Sequence, residues 1–286
     1  MPAPDGVVLR CVAPDRIGLV ATVTGFLARQ RLSVVESHDF GDPDTGRFFM
    51  RIEFKSANGA FDRAAFEMGF AEAVAAFDME WSVRPKADRP KMLLLASKAD
   101  HCLSDLLHRR RRGELAVEIP AVVSNHVDAE WHAERHGLPF VHIPVTKDAK
   151  AQAEDALLAL FEETGAELVV LARYMQVLSD DLARRLEGRC INIHHSFLPS
   201  FKGARPYHQA HTRGVKLIGA TAHYVTAALD EGPIIAQDAA PVDHRATPAH
   251  MIARGREIEA RVLARAVRAH AEGRIFLNGR KTVVFD

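Results

Sequence analysis

The chain is short of cysteine, with three thiols, Cys11, Cys102 and Cys190, in 286 residues. They are widely separated and odd in number. That excludes a disulfide-framed fold and a cysteine-built zinc cluster, and fits reduced thiols in a cytoplasmic protein. A charge excess is also lacking: 37 basic and 37 acidic residues give a formal net charge of zero. Without a basic surplus, nucleic acid is not an expected partner. No apolar run approaches the ~20 residues of a membrane span, so no membrane association is expected. The opening Met1-Pro-Ala-Pro-Asp has neither a basic stretch nor an apolar core, so no secretory signal is read there. Internal repeats and low-complexity tracts are absent as well. What the chain does have is 48% hydrophobic and 26% charged residues, enough to bury a full core. Its length leaves room for one large or two modest domains.

Taken in order, residues 6–12 read as a strand, and Asp15 to Gly18 turns the chain into a helix. Leu19, Val20, Val23, Phe26 and Leu27 lie along one side of that helix. Residues 32–40 are extended, 41–46 form a turn, and 47–55 alternate with Phe48, Met50, Ile52 and Phe54 on one face. A helix over 61–77 and a strand over 79–83 complete a β-α-β-β-α-β order, the ferredoxin-like split βαβ. This gives a first domain over 1–84. The charged, proline-flanked stretch 85–90 is the expected linker, and a second domain occupies 91–286. There, apolar strands at 91–96, 117–124, 139–143, 168–171 and 190–194 alternate with helices at 103–112, 129–136, 149–164 and 180–186, the last capped by Ser179. Near-continuous apolar strands between helices imply a mostly parallel sheet covered on both faces, a Rossmann-like α/β domain. Strands at 215–225 and 232–239 follow. A helix opens at Thr247-Pro248 and runs to 271, and a hairpin around Asn278-Gly279 closes the chain.

Residues 191–238 concentrate polar groups in apolar surroundings. Alternation puts Ile191 and Ile193 on one face of a strand, and Asn192 and His194 on the other. Polar groups facing a core must be hydrogen-bonded or functional, and a strand end feeding a loop is the usual position of an open α/β active site. His195 points away from His194 and reads as structural. His208 and His211 sit three apart on a helix, but no third ligand accompanies them, so no metal is expected. No sequence neighbour supplies a base for Cys102. Arg109, Arg110, Arg111 and Arg112 read as a solvated helix end that complements the dipole.

Five stretches carry a family resemblance: Ser97-Lys-Ala-Asp-His-Cys-Leu, Ser124-Asn-His, Ile191-Asn-Ile-His-His-Ser-Phe-Leu-Pro-Ser-Phe-Lys-Gly, Gly219-Ala-Thr-Ala-His-Tyr-Val and Leu229-Asp-Glu-Gly-Pro-Ile-Ile. Over essentially the whole chain the sequence resembles the formyltetrahydrofolate deformylases, hydrolases of the folate formyltransferase superfamily. The strand-to-loop and Asp-Glu-Gly motifs are shared with formyltransferases that act on glycinamide ribonucleotide or methionyl-tRNA. The stretch from Ser97 and the N-terminal module separate the deformylases from those relatives. That module resembles an ACT domain through its Asp15-x-x-Gly18 turn. Two departures are visible: Ala227-Ala228 stands where acidic residues are common, and the four arginines after His108 stand where a tryptophan is common.

The resemblance implies hydrolysis of 10-formyltetrahydrofolate to formate and tetrahydrofolate. It places the chain in one-carbon metabolism linked to purine biosynthesis, with folate as substrate and no cofactor. It implies Asn192, His194 and Asp230 as the catalytic groups, and leaves open whether Asp230 or His194 removes the proton. It implies a pterin slot along Arg173, Tyr174, Met175, Val177 and Leu178, with His223 and Gly203 near the same pocket. Asp15 and Gly18 become a candidate regulatory site for methionine or glycine, and a homo-oligomer is expected from the exposed hairpin edge. The competing readings are a formyltransferase to an amine acceptor and a non-catalytic amino-acid sensor.

Overall fold

The structure, a computed structural model, describes residues 6–57, 61–198 and 206–286. The chain divides into two compact units. Residues up to Arg89 group with Glu272–Asn278 and Val283–Asp286, while Pro90–Ala271 group with Gly279–Thr282.

The first unit contains β1 (Val7–Pro14), α1 (Leu19–Arg29), β2 (Leu32–Asp42), β3 (Arg47–Ser56), α2 (Arg63–Val74) and β4 (Glu80–Pro85). The strands form an antiparallel sheet in the order β2-β3-β1-β4, the arrangement of a split βαβ unit. Phe48, Met50, Ile52 and Phe54 pack with Leu19, Val23, Phe26, Phe66 and Phe70 from the two helices. The second helix is shorter than its sequence pattern. Asp62 caps its start by accepting from Ala65 N at 3.0 Å, and Ala75–Phe77 tightens into a 3-10 turn. The other face of β3 is also buried, at Phe49, Arg51 and Glu53, which one-sided alternation does not predict. The C-terminal residues are the reason. Phe276 and Phe285 pack with Phe49, and Arg51 Nε donates to the Glu272 carbonyl at 3.1 Å. The expected second domain over 91–286 therefore differs from the structure at its end, because aromatic residues of the last segment complete the first unit's core.

The second unit runs β5 (Met92–Ala96), α3 (His101–Arg112), β6 (Val122–Ser124), α4 (Glu130–Arg135), β7 (Phe140–His142), α5 (Lys150–Glu163), β8 (Leu168–Leu171), α6 (Asp180–Arg185), β9 (Cys190–His194), α7 (Pro206–Arg213), β10 (Leu217–Tyr224), β11 (Ile234–Pro241) and α8 (Pro248–Ala271). Its seven strands are ordered β11-β10-β9-β8-β5-β6-β7. Five are parallel, and β10 and β11 add an antiparallel edge. The strand expected over 117–124 shrinks to Val122–Ser124, preceded by an isolated bridge from Lys91 to Glu118. Pro120 has no N–H for a central ladder and interrupts it. β12 (Ile275–Asn278) and β13 (Lys281–Val284) form the closing hairpin.

From β5 the chain builds outward through β6 and β7, then returns to β8 and β9 on the opposite side. The carboxyl ends of β5 and β8 thus flank a topological switch point, where open α/β sheets bind ligands. Among the described residues, no helix is long and apolar enough to cross a membrane.

Candidate active site

β9 is buried at Cys190, Ile191 and Ile193, while Asn192 and His194 are only partly covered, as its alternation requires. β10 pairs antiparallel with β9 and sets His223 opposite Asn192. The Asn192 amide nitrogen lies 3.2 Å from His223 Nε2, and His223 Nδ1 lies 2.9 Å from the Tyr224 carbonyl. A carbonyl only accepts, so Nδ1 carries the proton and neutral His223 accepts from Asn192 at Nε2. The same amide nitrogen keeps a second N–H for another acceptor.

Asp230 follows β10 in a left-handed conformation, φ +56°, rare for a residue with a Cβ and common where geometry serves a site. Its Oδ1 is 3.3 Å from His194 Nδ1 and 3.6 Å from His223 Nε2. The 3.2 Å contact makes Asn192 the hydrogen-bond partner of His223, with Asp230 the next neighbour. The turn is held by Tyr224 N donating to the Pro233 carbonyl at 3.0 Å. A Cβ at Gly232 would overlap the Tyr224 carbonyl. The glycine of the Asp-Glu-Gly motif therefore lets the turn close against β10 and deliver the carboxylate. Hydrogen bonding to His194 outweighs burial and holds the Asp230 carboxyl far below the usual carboxylate range. The structure thus gathers Asn192, His194, His223 and Asp230 into one cluster of amide, imidazole and carboxylate.

The segment after β8 is pinned at the switch point. Met175 N donates to Ser97 Oγ at 3.0 Å, and Ser97 Oγ donates to Asn125 Oδ1 at 2.6 Å. Along it, Tyr174, Gln176 and Leu178 line a hollow with Val145, Ala153 and Leu157. Met175 and Val177 are each 57% exposed on the opposite side. Burial, with Glu154 nearby, pushes the Tyr174 phenol up to about 12. Of the residues expected to form a slot, Tyr174 and Leu178 line this hollow and the Arg173 side chain goes elsewhere. Gly203 lies outside the described residues.

Arg173 leads to a cluster the sequence pattern did not single out. Glu259, on α8, is 1% exposed. Its Oε2 lies 2.8 Å from His101 Nε2, and its Oε1 accepts from the Tyr207 hydroxyl at 2.8 Å. Arg173 Nε is 3.3 Å from Oε2, a charge contact whose N–H is not aimed along that line. Burial alone would raise the Glu259 carboxyl, but His101, Arg173 and Tyr207 together hold it below its usual range. Arg173 also donates from a terminal nitrogen to His195 Nδ1 at 2.5 Å. The sequence carried a signal for Glu259: it sits in the stripe of Gly255, Ile258, Val262 and Leu263 that α8 buries. A carboxylate in such a stripe needs partners.

His101, Cys102 and Glu259 bring one ligand atom each within 4.8 Å of one another. Both Glu259 oxygens already accept hydrogen bonds, a guanidinium stands beside them, and burial pushes the Cys102 thiol up so that it stays protonated. That donor set reads as a hydrogen-bonded carboxylate, not as a metal cage. His208 and His211 are exposed on α7.

In the first unit, Gly18 has φ +97° and begins α1, which no side chain caps. Asp15 N donates to the Gly46 carbonyl at 2.8 Å, and a Cβ at Gly41 would come within 2.7 Å of the Asp15 carboxylate. Both residues thus have a structural part in the turn.

The α/β sheet brings amide, imidazole and carboxylate together at a strand end, and residues 90–267 match the family described as Formyl transferase. Formyltetrahydrofolate deformylase from Corynebacterium sp. (strain P-1) is 52% identical over 277 residues, 97% of each chain. The enzyme of that name from Bacillus subtilis (strain 168) is 44% identical over 274 residues, 96% of this chain and 91% of that one. The crystal structure of formyltetrahydrofolate deformylase from Burkholderia mallei ATCC 23344 superposes with a TM-score of 0.95 at 52% identity, covering 99% of this chain and 100% of that one. The chain belongs to the formyltetrahydrofolate deformylase family.

Proposed function

We propose that Asn192, His194 and Asp230 carry out the reaction that family membership gives this chain, hydrolysis of 10-formyltetrahydrofolate to formate and tetrahydrofolate. The observation that carries the proposal is the 3.3 Å approach of Asp230 to His194 Nδ1, beside the Asn192 amide on the same strand face. With Nδ1–H donated to the ionised carboxylate, His194 keeps the lone pair of Nε2 for a proton of water. The water oxygen adds to the formyl carbon while that proton passes to His194. Asn192 donates its remaining N–H to the developing oxyanion, and one such donor is worth about 100- to 1000-fold in rate. Collapse breaks the bond from carbon to the folate nitrogen, and the imidazolium returns the proton to the leaving nitrogen. The pterin is taken to lie along the segment after β8, where Met175 and Val177 are exposed beside the switch point and apolar walls with a few polar groups can fix a ring's orientation.

The four-stranded unit is, in this proposal, an ACT-type regulatory domain of a cytoplasmic enzyme. Methionine or glycine would place its carboxylate beside Gly18, where the uncapped amides of α1 favour an anion, with its ammonium toward the Asp15 carboxylate. Strand β2 is an edge with Val34 and Val35 exposed, which supports pairing with a second copy. The deciding experiment is incubation with 10-formyltetrahydrofolate and no amine. Stoichiometric formate is expected, and formate only upon addition of an amine acceptor would replace the hydrolase with a transferase.

A further inference from the structure

We propose that Glu259 is a positioning residue for the hydrolysis, acting on His194 through Arg173 and His195. The inference rests on the reading of His194 as the proton acceptor. Four elements of the second unit meet at this carboxylate: His101 from α3, Arg173 after β8, Tyr207 from α7, and Glu259 itself from α8. Stability alone does not call for it, since an apolar side chain would fill a helix's buried stripe at lower desolvation cost. The helix is also shaped around the arrangement. A Cβ at Gly255 would overlap the Tyr207 ring and hydroxyl, so glycine there lets Tyr207 reach Glu259.

The network points toward the catalytic imidazole. Arg173 is held at φ +64°, a conformation that must be stabilised by its surroundings. Its donation to His195 Nδ1 leaves that nitrogen as an acceptor, so neutral His195 carries its proton on Nε2. His195 does not point away from His194 as alternation suggested: β9 ends at His194, and the two rings stack with centroids 5.1 Å apart at an interplanar angle of 18°. His194 is therefore fixed from two sides, by the Asp230 carboxylate at Nδ1 and by the stacked face of His195. Glu259 also balances the Arg173 charge. Without it, a bare guanidinium would oppose the positive charge that His194 acquires when it takes a proton from water.

Glu259→Gln keeps the shape and an oxygen for Tyr207 while removing the charge. We expect it to fold and to lower kcat by ~10- to 100-fold through misplacement of the ring. KM should stay within about threefold, because Glu259 is buried behind Arg173 and its partners among the described residues lie outside the proposed pterin segment 174–178. Nitrogen NMR of labelled histidine should find His195 Nδ1 unprotonated in the wild type and a mixed tautomer in the variant. The double variant Arg173→Met/Glu259→Gln removes both charges and covers the case in which a lone guanidinium prevents folding. Its kcat should lie within about threefold of the single variant's, since the two residues act as one unit. Wild-type kcat in folded Glu259→Gln or in the double variant, or a raised KM at unchanged kcat, would overturn the proposal. His194→Ala is the control. If it is inactive while Glu259→Gln is normal, only this inference falls. If it retains wild-type kcat, the catalytic reading falls with it.

Discussion

At the scale of single residues, Asp230 carries the chemistry and the strain together. Asp230→Asn keeps the shape but removes the charge that orients His194, and steady-state kinetics should show kcat reduced about 100-fold or more. Because its carboxyl is held below the usual range, Asp230 remains ionised as pH falls through ~4, the ordinary carboxylate value. Any acid loss of activity at higher pH must come from another group. His195 makes a second pH prediction. Burial, aided by Arg173 and His194, pushes its imidazole from 6.5 down to about 4. The unfolded chain then binds a proton that the folded chain refuses between those values, so stability falls as pH drops from 6.5 toward 4. Thermal melts should show a shallower dependence in His195→Gln than in the wild type. That Asn192 and His194 share a strand face was legible from alternation, because a period of two marks which side chains lie together; their proposed part in catalysis came from the family resemblance. Glu259 was not, because α8 is rich in charge and one buried carboxylate among exposed ones shows only when the apolar stripe is traced through it.

At the scale of elements, two glycines set how the site's pieces approach. Gly232→Ala forces a methyl onto the Tyr224 carbonyl, which is backbone and cannot swing aside. A loss of ~1–3 kcal/mol or more in denaturant unfolding is expected, with activity lost as the Asp230 turn moves. Gly255→Ala meets a side chain instead, and should cost less stability while displacing Tyr207 from Glu259. Ser179 caps α6 by accepting from Leu182 N at 3.2 Å, and Ser179→Ala should cost about 1 kcal/mol without touching kcat. Caps, turns and the long helices were readable because their signals are local. The shortened β6 was missed because apolar composition outweighed one proline at 120. The buried second face of β3 was missed because what covers it comes from residues more than 220 positions later in the chain.

At the scale of the whole molecule, the alternation of apolar strands and helices made the mostly parallel sheet legible, but not the antiparallel edge that supplies His223 opposite Asn192. Pairing direction depends on how β10 returns across the sheet, which composition does not encode. If the first unit is regulatory, methionine or glycine should change the turnover rate, and light scattering should find more than a monomer. The central claim is that water, activated by His194 and oriented by Asp230, is what attacks the formyl carbon. It is tested most directly by running the reaction in water enriched in oxygen-18 and examining the formate by mass spectrometry, for the wild type and Asp230→Asn. The account predicts formate carrying one solvent oxygen from the wild type, and a rate lower by about 100-fold or more from the variant. Formate without the label, or labelled formate at the wild-type rate from Asp230→Asn, would contradict it.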